Sequence, residues 1–192
     1  MVLRRNQQAT YRLNREGPNI HRSPVAKAEI AGDGGSSDYA FHFDDGGPDY
    51  FVIQDFRFTG GLLFQDYGTG NASHNITIRR NYIHDVGANW VLIDGQNGDA
   101  TYFTVEDNKM MDCAEYNPDG AEQCFNVNHA INLIIKDNWF IGDTDSTYYN
   151  TSGCNNLEIH ESQNVLIEGN IFDEPPDQAN LAIKENGGYD CF

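Results

Sequence analysis

Residues 132–140 read NLIIKDNWF, and three other stretches say nearly the same thing: NITIRRNYI (75–83), YFTVEDNKM (102–110) and NVLIEGNIF (164–172). Repetition at a period of a few tens of residues marks a repeat architecture, so it governs the reading of the whole chain. Aligned on the closing asparagines Asn81, Asn108, Asn138 and Asn170, the copies are separated by 27, 30 and 32 residues. A fixed local pattern at variable spacing means loops of changing length inserted into equal structural turns. Within each copy the apolar residues alternate: Ile76/Ile78, Phe103/Val105, Leu133/Ile135 and Val165/Ile167. Period two predicts a strand with those side chains turned inward. YFVIQDFRF (50–58) fits as a further copy, with Phe51 and Ile53 inward and Phe56 where Asn would stand. KAEIAGD (27–33) fits as an earlier one.

One copy is too short to bury its own apolar face, and no helix-period pattern of useful length lies between copies. Stacking the copies solves the burial problem, because each coil covers the last. The expected result is a solenoid of short parallel strands. Asn at the turn suits it, since Asn tolerates a left-handed backbone and its amide can bond the Asn of the next coil.

These motifs resemble the right-handed parallel β-helix of the pectate-lyase-like superfamily, whose repeats carry N-[apolar]-x-I-x-x-N-x-[FI]. The resemblance covers residues 27–192 and implies an all-β domain of roughly six coils. Residues 1–26 are expected to form an irregular N-terminal segment of the same single domain, 1–192. With no capping helix recognisable and an end at YDCF, the chain is expected to be part of a longer solenoid.

Charge narrows the partners. The net charge is −17, and it is uneven: residues 1–27 hold six of the 12 Lys/Arg beside Glu16 alone, leaving 28 acidic against 6 basic residues beyond them. A body this acidic repels nucleic acid and anionic membranes, and it disfavours a polyanionic substrate unless a cation or local basic group intervenes. No apolar run approaches a membrane span. The N-terminus has basic residues without an apolar stretch behind them, so the secreted or cell-surface location implied by the resemblance needs a signal outside this chain. Cys113, Cys124, Cys154 and Cys191 form no C-x-x-C pair, which argues against structural zinc and leaves loop disulfides or buried thiols open.

A second strand precedes each Asn-bounded one. Its inward residues are Phe43, Phe64, Ile93, Val127, Ile159 and Ile183 by pattern. Two outward columns follow: Asp44, Gln65, Asp94, Asn128, His160, Lys184, and His42, Leu63, Leu92, Asn126, Glu158, Ala182. The carboxy-terminal half of this face combines carboxylates, carboxamides, imidazoles and an isolated lysine. That set is similar to the active face of the chondroitinase B and alginate lyase group. LAIKENGG puts Lys184 at the outward position of the catalytic lysine there, while EIHES carries His160 one coil earlier.

The resemblance implies β-elimination on a uronic-acid polysaccharide. A base removes the proton at C5, and a cation stabilises the enolate-like charge that develops. Lys184 or His160 is the expected base, and Asn126, Glu158 and Glu161 are the expected ligands of Ca²⁺. Asn128, His129, Asp94, Tyr148 and Tyr149 are expected to bind sugar. The alternative is a non-catalytic carbohydrate-binding or adhesin solenoid, with glycoside hydrolysis and uronan epimerisation behind it. Asp44-Asp45 is the hydrolase candidate, but its companion GHG and RIK motifs are absent. The partner in each case is a polysaccharide, and the chain is expected to be a monomer.

Overall fold

The computed structural model describes residues 29–31, 39–44, 47–66, 70, 72–86, 89–95, 100–113, 123–141, 155–173 and 179–184. In these, each strand up to β14 pairs in parallel with the third strand after it. The strands are β1 (Glu29–Ile30), β2 (Tyr39–Asp44), β3 (Asp49–Gln54), β4 (Arg57–Phe58), β5 (Gly61–Gln65) and β6 (His74–Arg79). Then come β7 (Tyr82–Val86), β8 (Val91–Asp94), β9 (Ala100–Glu106), β10 (Lys109–Cys113), β11 (Gln123–Asn128) and β12 (Ala130–Lys136). The last are β13 (Trp139–Ile141), β14 (Asn155–His160), β15 (Gln163–Glu168), β16 (Ile171–Asp173) and β17 (Ala179–Lys184). The first sheet runs β1-β4-β7-β10-β13-β16, the second β2-β5-β8-β11-β14-β17 and the third β3-β6-β9-β12-β15. The fold is an all-β parallel solenoid with three faces, and no helix occurs among the described residues. None is therefore long and apolar enough to cross a membrane.

The repeated Asn-bounded segments form the third sheet. Phe51, Ile76, Phe103, Leu133 and Val165 lie in one register column, as do Ile53, Ile78, Val105, Ile135 and Ile167. Those in the middle strands are fully buried, and each contributes about 1.5–3 kcal/mol by leaving water. The corners come from backbone chemistry. Tyr50, Asn75, Tyr102, Asn132 and Asn164 precede the first inward residue, and all have φ between 54° and 60°. At the other end Asp55, Arg80, Asp107, Asp137 and Gly169 also have positive φ. The left-handed residue at this corner is thus the one before the closing Asn, which corrects the expectation that the closing Asn itself is left-handed. Short polar side chains and glycine suit such positions because their local sterics and hydrogen bonding tolerate φ > 0.

The closing asparagines form a continuous amide ladder inside the corner. Asn81 donates from its backbone N and from Nδ2 to Oδ1 of Asn108, at 3.0 and 3.1 Å. The ladder continues from Asn138 to Asn170, with both bonds at 2.9 Å. Phe56, standing where Asn would, still donates its backbone N to Asn81 Oδ1 at 3.1 Å. Each side-chain amide also reaches a carbonyl of the previous rung, such as Asn108 Nδ2 to Ile78 O at 2.9 Å.

The first sheet is a third strand per repeat that the sequence reading passed over. Its signal is the aromatic or apolar pair after each Asn: Phe58, Ile83, Met110 and Phe140 are all fully buried. Phe140 and Phe172 stack with centroids 5.0 Å apart. Glu29–Ile30 of KAEIAGD belongs here and not among the Asn-bounded strands, because Ile30 pairs with Phe58, which lies after the Asn position. The segment 1–26, Cys154 and Cys191 lie outside the described residues. On the outside of the third sheet the column Arg79, Glu106, Lys136, Glu168 alternates in sign as expected. Lys136 Nζ sits 3.0 Å from Glu106, and Arg79 3.9 Å from it.

Candidate functional site

The second sheet has the register expected for it. Phe43, Phe64, Ile93, Val127, Ile159 and Ile183 are successive partners. Period two then puts Gln65, Asp94, Asn128, His160 and Lys184 in one outer column, and Leu63, Leu92, Asn126, Glu158 and Ala182 in the other. Ile183 stacks on Ile159 in the last described strand, and is 40% exposed.

This face is not a uniformly wet one. Leu63, Asp94, Glu158 and Ala182 are 3%, 5%, 1% and 0% exposed. Glu158, expected at the surface, is buried, and its Oε1 is hydrogen-bonded to Nε2 of His160. The imidazole itself remains partly open, with about a quarter of its side chain exposed. A buried carboxylate accepting from Nε2 fixes the ring orientation and leaves Nδ1 as the lone-pair nitrogen.

The backbone around His160 is also held. Its carbonyl accepts from Ser162 Oγ at 2.7 Å and from the His129 backbone N at 3.2 Å. Ser162 Oγ in turn accepts from Ala130 N at 3.0 Å. His129 and Glu161 both have left-handed backbones, φ 55° and 43°, and end β11 and β14 at one corner. There His129 Nε2 meets Glu161 Oε2 at 2.7 Å. Sequence reasoning named both residues but not their pairing. The signal was present: they are 32 residues apart, the same spacing as Asn138 and Asn170, so they occupy one column.

The expected site residues thus fall into distinct groups. His160, Glu158, Asn126 and Asn128 come together on β11 and β14, with Lys184 placed beside His160 by backbone register alone. Asp94 lies one strand further, taking a 3.3 Å bond from Gln65 Nε2. Tyr148 and Tyr149 lie outside the described residues. Of the expected calcium ligands, Glu158 is hydrogen-bonded to His160 and Glu161 to His129. Among the described residues no three His, Cys, Asp or Glu side chains gather as a metal site.

Other polar pairs sit apart from this corner. His42 bonds Asp44 at 2.7 Å near the opposite end of the sheet. His84 is buried on the first sheet, where its Nε2 accepts from Arg57 Nε at 2.6 Å and its ring stacks on Tyr82. Lys109 Nζ lies 4.6 Å from the Trp139 ring centroid and 5.3 Å from that of Tyr82. These contacts tie neighbouring rungs together along the outside of the first sheet. Compared with protein-family models, curated proteins and solved structures, the chain has no match.

Proposed function

We propose that this is a polysaccharide-active β-helix of the right-handed, pectate-lyase-like kind that cleaves a uronic-acid glycan by β-elimination, outside the cell or at its surface. The observation that carries the reading is the bond between His160 and the buried Glu158 carboxylate. It gives one partly exposed imidazole a fixed tautomer, which is what a general base needs. His160 Nδ1 takes the C5 proton of the uronate. Lys184, its partner in backbone register, is assigned the positive charge beside the substrate carboxylate. Asn128 and Asp94 continue that column as sugar-binding groups.

Ultraviolet absorbance of unsaturated products tests this directly, with alginate, pectate and chondroitin or dermatan sulfate as substrates, each with Ca²⁺ and with chelator. Rising absorbance establishes the lyase, and the chelator arm reports whether a cation takes part. A folded chain giving no signal on any of them removes the lyase reading. A second reading, glycan binding without turnover, is favoured by Tyr50 and Tyr102, which are 81% and 57% exposed on the third sheet. They stand two rungs apart in one column, about 9.6 Å, with rings available for sugar faces.

A further inference from the structure

We propose that Tyr50 and Tyr102 form a stacking platform for a neutral, extended β-1,4-linked glycan lying along the solenoid axis on the outside of the third sheet. This rests on the glycan-binding reading of the two tyrosines and names the sugar they take. It does not draw on the elimination chemistry of the second sheet.

Neither packing nor backbone preference accounts for these two residues. They are 81% and 57% exposed, so neither ring is held in the core. Both have positive φ, 56° and 59°, in the column where Asn75, Asn132 and Asn164 have 58°, 60° and 54°. A left-handed backbone is disfavoured for a bulky side chain and suits asparagine. The protein thus carries an aromatic ring at two places where asparagine makes the same turn with less strain. Strain kept at an exposed position, where packing gains nothing from it, points to a ligand.

Spacing selects the linkage. Asp49 pairs with His74 and His74 with Thr101, so Tyr50, Asn75 and Tyr102 follow one another on neighbouring rungs. Rungs about 4.8 Å apart separate the two tyrosines by about 9.6 Å along the axis. An extended β-1,4-linked pyranose chain flips at each linkage and presents the same face at every second sugar, close to this interval. One sugar then lies on Tyr50 and the next but one on Tyr102, with their C–H faces against the rings. The sugar between them lies over Asn75, whose amide both donates to and accepts from hydroxyls. An α-1,4-linked chain curves away from a straight row and meets one ring only.

Charge selects a neutral sugar. The adjacent outward column is Val52, Thr77, Thr104, Ile134 and Leu166, without an ionisable group. In the next column Arg79 is engaged on both sides. Its Nε donates to Gln54 Oε1 at 2.8 Å, and its Nη1 lies 3.9 Å from Glu106. Asp49 is exposed beside Tyr50 and repels a carboxylate there. A glycan with an acid on every sugar is therefore disfavoured on this strip, while hydroxyls are not.

Calorimetric titration with cellohexaose tests the proposal, with maltohexaose as the α-linked control and hexamannuronate as the β-1,4-linked anionic competitor. Cellohexaose should bind about tenfold or more tightly than maltohexaose and should not be displaced by hexamannuronate. Tyr50→Asn and Tyr102→Asn should each weaken it by about fivefold or more. Their unfolding temperatures should hold or rise, a combination that a merely structural role would not produce. Tyr102→Phe keeps the ring and should stay within about twofold of the wild type. Cellohexaose affinity unchanged in both Asn variants overturns the platform. Maltohexaose or hexamannuronate bound through the tyrosines in place of cellohexaose overturns the choice of sugar and leaves the glycan-binding reading standing. A folded protein that binds none of the three overturns both, and the absorbance assay on polyuronates still decides elimination on its own.

Discussion

Asn108 is joined to Asn138 twice, through its backbone N and through Nδ2, both 3.0 Å from the same Oδ1. Its own Oδ1 accepts the matching pair from Asn81. Asn108→Ala therefore strands buried groups on two sides: the Asn81 donors lose their acceptor, and Ile78 O loses its donor. Each such loss costs about 1–3 kcal/mol, so the variant should lose about 3 kcal/mol or more. Asn170 caps the ladder and is only half-buried, and water can replace what Asn170→Ala removes. About 1 kcal/mol is expected there. Urea unfolding midpoints decide the matter, and equal losses at the two sites would show that the ladder is not what holds this corner.

A second test concerns the first corner of the third sheet. Tyr102 has φ 59° in a column where Asn75 and Asn132 have 58° and 60°. Asn164 Nδ2 donates to Asn132 Oδ1 at 3.2 Å in the same column. Tyr102→Asn restores the residue the backbone favours and should stabilise the protein by about 0.4–1 kcal/mol. Tyr102→Val should destabilise it by about 1–3 kcal/mol, since a β-branched side chain is strained at positive φ. A Tm unchanged by both substitutions would mean that the corner relaxes.

What the sequence made legible was set by period. Alternation and Asn spacing predicted the register of both outer columns on the second sheet, down to the pairs Glu158–Ala182 and His160–Lys184. Burial across those columns was not legible, because periodicity tells which way a side chain points but not what lies over it. Asp94 and Glu158 show this at 5% and 1% exposure. Nor does periodicity reveal φ: Asp137 and Asn138 both look like turn residues, and only Asp137 is left-handed. The β10 and β13 strands escaped for a different reason, since a pair such as WF is too short to show a period.

Asp107 gives a stability prediction with a definite sign. Its carboxyl is held above the ordinary value of 3.8, first by burial and then by Glu106 and Asp137, with Lys136 and Arg80 opposing. The folded state binds this proton more tightly than the unfolded state does. Stability from this group is therefore full below the ordinary value and falls as pH rises through the window just above it. Asp107→Asn removes the penalty and keeps a side chain suited to φ 55°. Because the burial is only partial and much of the side chain still meets solvent, the charge effect is screened and the gain at neutral pH should be only about 0.3–0.5 kcal/mol. The gain should vanish when unfolding is measured below about pH 3.8. A gain independent of pH would assign the effect to the backbone and not to the charge.

Glu158 and His160 separate positioning from proton transfer. Glu158 is 1% exposed and meets its histidine inside the sheet face, so it acts on substrate only through the ring it holds. Glu158→Gln keeps an oxygen for Nε2 but loses the charge that stabilises the protonated ring. It should lower kcat by about 10–100-fold and leave KM nearly unchanged, because ground-state binding is untouched. His160→Ala removes the base and should cost about 10²–10⁴-fold. It also opens a space beside the carboxylate, where added imidazole should restore part of the turnover. Imidazole should do nothing for Glu158→Gln, which still fills that space with its own ring. If Glu158→Gln instead raised KM with kcat intact, the pair would be holding substrate and not moving a proton, and the base would have to be sought at Lys184.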